Sequence, residues 1–450
     1  MFSKAWACAL AALAIASTPA GAQVASESMD DLNAWGTRYQ SRQSIDFPAS
    51  LWGSSDNQTL LALMESQATG NLTRAERKLL RRLVLSPARK PSGQQAEALL
   101  GERVRLMLAL GEADAAAELA PRLQQTPEGR NAETFAIDVE LARGDYRAAC
   151  SRLQAEDPPE GLYATKLRAV CAVLAGNISG AELAVEMAST QGLDDAWFIA
   201  AIFAAAGDSP NPPEARFDSG MNIALSLEAE LDTSELDPTQ SRADLAAALA
   251  EREGVAMPLR AQFADMARRA DLFSAKQHRS LIDAKLAANE GVPTSAIEET
   301  LLVFDDPLTF DAQRAEALDH VLETAASADL TLFANAAEFF LPELRRLPQS
   351  ADTADFALMF ARAALAVGKP DLAQTWLAAT DEDEAFDATY LEALLLIASG
   401  DASIAAQRAT QARLLETADS EDRLAQATDL LARWTGFEFV LSASARNALL

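Results

Sequence analysis

Apolar residues recur along most of this chain at three- and four-residue spacing, in runs short enough to be separate helices. Leu72, Leu79, Leu80 and Leu83 form one such stripe, and Leu99, Leu100, Val104, Met107 and Leu108 form the next. Residues spaced i, i+3, i+4 share one face of an α-helix, so the pattern predicts amphipathic helices packed by their apolar sides. The runs come in pairs: 99–111 with 113–123, 132–143 with 145–153, and 162–175 with 178–188. A further helix starts near Asp194 and stops at Gly207, beyond which Pro210, Pro212 and Pro213 break the run.

Glycines punctuate the pairs. Gly111, Gly144, Gly176 and Gly207 stand 33, 32 and 31 residues apart, and Gly368 and Gly400 repeat the 32-residue interval downstream. Each falls between the two helices of a pair, where a left-handed residue closes the first helix and glycine adopts that conformation freely. One hairpin of about 33 residues cannot bury its apolar face alone. The recurrence therefore predicts an all-α fold, an α-solenoid or superhelix of stacked antiparallel helix hairpins sharing one continuous core. The interval is clean over residues 71–207 and returns over 351–436, whereas 208–350 stay helical without it. Residues 23–70 read as an irregular N-terminal cap whose Trp35 and Trp52 either pack against the first hairpin or form a contact surface. In the tail, 437–450, the apolar Phe437, Phe439 and Val440 fit a short strand-like cap or a packed tail.

Five of the six glycines are followed five residues later by alanine: Ala116, Ala149, Ala181, Ala373 and Ala405. Gly144-Asp145-Tyr146 marks one helix turn, and Ala188 and Ala412 supply a later small position. In these features the chain resembles the tetratricopeptide repeat, although the closing proline is displaced or missing and the early Trp and Leu of that pattern are absent. The resemblance implies a curved right-handed superhelix whose concave face binds peptides or partner domains, with no catalytic residues. Some members of that family hold a terminal carboxylate with Lys, Arg and Asn on successive first helices. Arg143, Lys166 and Arg168 offer charge at comparable places, but no asparagine pattern accompanies them and no clamp is assigned.

The first 22 residues carry Lys4, an apolar run and Ala20-Gly21-Ala22, the pattern of a cleavable secretory signal peptide with cleavage after Ala22. This predicts export to the periplasm. The apolar run is too short to span a membrane, and no later stretch of sufficient length lacks charges, so no stable membrane insertion is expected. The full chain carries a net charge of −28, and a polyanion is repelled by nucleic acid and by anionic lipid while favouring basic partners.

Against this acidic background, residues 71–90 hold seven bases and one acid. Arg74, Arg77, Lys78, Arg81 and Arg82 lie on one side of a predicted helix as a candidate partner-docking face; pairing with acids on neighbouring helices is the alternative. The mature cysteines, Cys150 and Cys171, fall late in successive helices. They fit either a disulfide formed after export or two small buried apolar residues.

Catalytic chemistry is sparse. His278 and His320 stand far apart, no metal-ligand spacing or nucleophile motif occurs, and no cofactor is expected. The acidic run at 381–384 precedes a helix start, where negative side chains favour the exposed amides. Two function classes follow. The first is a non-enzymatic exported scaffold for protein–protein interactions. The second is a cell-wall enzyme or accessory resembling the superhelical part of soluble lytic transglycosylases, whose separate lysozyme-like catalytic domain is not expected here.

Overall fold

The computed structural model describes residues 35–36 and, from 47 to 449, all but 53–54, 68, 70–71, 92–94, 120–122, 124–125, 156–157, 208, 290, 381–384, 400–402 and 438. The expected signal peptide, the acidic run at 381–384 and Gly400 lie outside the described residues. Within them the chain is all-α, with 23 α-helices and no strand.

The first half keeps the expected succession of paired helices: Ala96–Ala109, Ala113–Leu119, Pro127–Arg143, Tyr146–Ser151, Gly161–Leu174, Ile178–Thr190 and Ala196–Ala205. Local chemistry sets their limits. Thr126 accepts a hydrogen bond from the Gly129 amide and Pro127 occupies the first helical turn, so this helix begins five residues before its apolar stripe. It ends at Gly144 with φ +89°, and the Asp145 amide reaches back to the Glu140 carbonyl at 2.9 Å. Gly176 closes its helix the same way, at φ +69°.

In the middle, two turns use the same left-handed closure without glycine. Glu230 has φ +49° and Asp271 φ +59°, and Leu231 and Leu272 then reach back to the carbonyls of Ser226 and Ala267 at 2.9 and 2.8 Å. Asp271 sits 64 residues beyond Gly207 and 97 before Gly368, two and three of the 32-residue intervals. One phase of the repeat therefore survives in the middle, carried by an aspartate.

Helices pack in pairs, among them Gly161–Leu174 with Ile178–Thr190, Ala243–Glu251 with Met257–Arg269, and Ala357–Ala366 with Pro370–Leu377. The buried side chains form four successive clusters rather than one continuous core. They run from Trp35 to Ala132, Ala113 to Leu281, Ala261 to Leu391, and Phe386 to Ala445. Trp35 and Trp52 are both buried in the first cluster, edge to face at 6.2 Å. The tail is packed rather than strand-like. Phe439 meets the Trp434 ring at 5.2 Å, and buried Gln407 and Gln411 bond the Val440 backbone at 3.1 and 2.9 Å before the Ala443–Ala448 helix.

The chain also makes contacts that a purely nearest-neighbour array lacks. Pro127–Arg143 packs on both Gly220–Glu228 and Ala243–Glu251, and Arg74–Leu85 packs on Leu330–Phe339. Gly220 permits the first of these: a Cβ there would lie 2.2 Å from the Asp138 carbonyl oxygen.

Candidate functional site

The basic helix Arg74–Leu85 starts with a reciprocal cap between Thr73 and Glu76. Most of its cations face inward. Arg74 pairs with Glu338 at 2.6 Å and with Asp271 at 3.4 Å. Arg81, only 7% exposed, pairs with Glu112 at 2.7 Å and Asp271 at 3.1 Å. It also donates to the carbonyls of Ala270 at 2.9 Å and Leu110 at 3.1 Å. Arg77 donates to the Arg269 carbonyl.

Those carbonyls end the Met257–Arg269 and Ala96–Ala109 helices, where the helix dipole is negative and cations are favoured. Arg82 stacks over the Phe47 ring at 4.6 Å, and Lys78 is exposed. Of the five candidate docking residues, Arg74, Arg77 and Arg81 thus form an intramolecular clasp that fastens the N-terminal helices to the middle of the chain.

Beside the clasp opens a cleft of about 300 Å³. One wall comes from the first hairpins, with Gly111, Glu112, Asp114, Val139 and Arg143; the other comes from Asp244, Ala247, Ala248, Glu251, Leu272 and Gln277. Two features favour glycine at 111. Its φ is +77°, and a Cβ would sit 2.4 Å from the Cδ1 methyl of Leu272, which would have to turn aside. Four carboxylates line this space against one arginine, and Arg143 is already held by Asp114 at 3.0 Å. Glu251 accepts from Gln277 at 2.6 Å.

Under the cleft lies a second charge network. Arg242 bridges Asp138 and Asp244, each at 3.0 Å, and its guanidinium covers the Phe135 ring at 3.8 Å. Burial pushes the Asp138 carboxyl up, and the nearby Arg242 only partly opposes this. Burial also works against the charged form of Arg242, but Asp244 and Asp138 outweigh it and its pKa is raised. Tyr163 donates to the Thr134 carbonyl at 3.2 Å, and burial, with Asp138 acting in the same direction, pushes its hydroxyl above the usual phenol range.

Cys150 and Cys171 form a disulfide with Cα atoms 5.8 Å apart, joining Tyr146–Ser151 to Gly161–Leu174. Lys166 is engaged by Asp195 at 3.0 Å, whereas Arg168 is exposed. His278 is 2% exposed, 5.1 Å from the Phe339 ring and 3.3 Å from Asp265. Burial, reinforced by Arg268, pushes its pKa down to about 3. His320 is exposed. Among the described residues no cluster of His, Cys, Asp and Glu is arranged to hold a metal ion, and no helix is long and apolar enough to cross a membrane.

Sequence periodicity did not expose Asp271 and Glu338 as clasp residues, nor Asp138 and Arg242 as the second charge network. The one available signal was Asp271 standing in phase with the glycines. Comparison of the chain with protein-family models, with curated proteins and with solved structures finds no match.

Proposed function

We propose that this chain is a non-enzymatic, exported scaffold: a tetratricopeptide-like superhelix of stacked antiparallel hairpins that gathers protein or peptide partners in the periplasm. Its acidic cleft receives a basic segment of the partner. The cleft carries this reading, because Asp114 and Glu251 are exposed at it in a chain of net charge −28; Glu112 and Asp244 also line it but are held by Arg81 and Arg242. A low-dielectric wall beside carboxylates focuses their field on an entering cation. Export rests on the leader pattern and is supported by the Cys150–Cys171 disulfide, which belongs to an oxidising compartment.

The direct test measures binding of fluorescent Lys/Arg-rich and Glu-rich peptides to the native chain and to an Asp114→Asn, Glu251→Gln variant. Both residues are exposed and stand outside the clasp. Preferential, salt-sensitive binding of the basic peptide that weakens in the variant is expected; equal binding by the two proteins sinks the cleft reading. N-terminal sequencing of the periplasmic protein should begin at Gln23. Release of soluble muropeptides from purified peptidoglycan would overturn the non-enzymatic assignment.

A further inference from the structure

Two apolar side chains stand out of the surface on a turn whose backbone is well tied. Leu308 is 83% and Phe310 76% exposed, the highest values among the described large hydrophobic residues. They lie between the helices Ala296–Asp305 and Asp311–Ala328. The Asp306 carboxylate accepts from the Leu308 amide at 2.8 Å, and Gln313 accepts from the Phe310 amide at 3.2 Å. Arg314 holds the Asp306 carbonyl at 2.9 Å, and Pro307 fixes its own φ. The two side chains are therefore presented by a set backbone, which leaves less freedom to be lost on binding.

Phe310 breaks a local rule as well. It occupies the N-cap of the following helix, where a serine, threonine, aspartate or asparagine would accept a backbone amide and a phenyl ring cannot. A residue that gives up a cap and buries nothing in return serves no folding purpose at its position. Breaks of this kind concentrate at functional positions.

We propose that this turn is a docking knob: Leu308 and Phe310 insert into an apolar groove of a partner protein, and Lys or Arg on the groove's rim meets Asp305 and Asp306, Asp311 being already paired with Arg314 at 3.3 Å. These carboxylates fix the partner's chemistry. They oppose insertion into anionic lipid, and they oppose a second copy of a chain whose net charge is −28. None of these residues lines the acidic cleft, so the knob stands or falls independently of it.

The test places a photo-crosslinking amino acid at Ala312, which is exposed beside the knob, in the full chain inside the producing cell. The crosslinked peptide is then sequenced. One partner protein is expected, crosslinked at an apolar groove flanked by Lys or Arg. The yield should drop at least about tenfold when Leu308→Ser and Phe310→Ser are combined. Phe310→Ser also supplies the missing cap hydroxyl, so its thermal midpoint should hold or rise. A yield that the double variant leaves unchanged, crosslinks to lipid or to another copy of this chain, or a Phe310→Ser midpoint lowered by several degrees would each overturn the proposal.

Discussion

Residues 96–207 and 208–350 are built of similar helices, yet two left-handed turns of the second, at Glu230 and Asp271, are closed without glycine. In the first region, Gly144 and Gly176 take the left-handed turn with positive φ, and a Cβ at Gly176 would meet nothing within 4 Å. The turn is a backbone device there, and the adjoining helices are held by their neighbours and by the Cys150–Cys171 bond. In the second region Asp271 makes the same turn while its carboxylate accepts Arg74 and Arg81 from helix Arg74–Leu85. A repeat is easy to read where its turn residue does one job. It fades where that residue must also satisfy a distant charge.

The sharpest way to break this comparison is Arg81→Ala. The change strands Glu112 and part of Asp271 beside the carbonyls of Leu110 and Ala270, and losing one partner of a buried pair costs about 3–5 kcal/mol. Denaturant unfolding should show that loss, and no comparable loss for Lys78→Ala. In the first region the largest effect should come from Cys150→Ser. The disulfide spans 21 residues, and removing a loop of that size costs about 3 kcal/mol. Faster hydrogen exchange confined to helices between Tyr146 and Leu174 is the expected signature.

A reciprocal swap follows. Gly176→Asp should cost about 1–2 kcal/mol, the penalty of a left-handed residue with a side chain. Asp271→Gly removes that penalty but takes one acidic partner from each of Arg74 and Arg81, at about 1–3 kcal/mol, so it should be neutral to destabilising rather than stabilising. If Asp271→Gly raises the thermal midpoint, the two turns are equivalent and the comparison fails.

The smallest effect is on pH. Buried His278 has its pKa depressed from 6.5 to about 3, so the unfolded chain takes up the proton first. The stability of the neutral, folded histidine is present above about pH 6.5 and is lost as pH falls. Arg268, Asp265, Arg279 and Glu343 surround it and titrate or interact on their own account, so the comparison must be with His278→Gln. Relative to that variant, the native chain should lose about 1.4 kcal/mol between about pH 7.5 and about pH 5.5. Parallel pH profiles would remove His278 from the account.

Much of the architecture was legible because helical periodicity and glycine caps are local. Stripes such as Leu99, Leu100, Val104 and Met107 became the buried faces they predicted. The Arg74 to Arg82 stripe was also legible, but its target was not. Nothing in sequence spacing says that Arg74 meets Glu338, 264 positions away. Pairing across such a distance depends on how the intervening helices curve, and on a glycine at residue 220 that lets two helix backbones touch. The cleft was illegible for the same reason, since its walls come from residues 111–143 and 244–277.

That separation has a consequence in time. The basic helix is made early, and its acceptor Glu338 follows 264 residues later. At synthesis rates of about 5–20 residues per second, the interval is roughly 10–50 s. During it, Glu112 and then Asp271 arrive to meet Arg81, while Arg74 still lacks its closest partner. The Arg74–Glu338 contact therefore closes last, once about three quarters of the chain has been made.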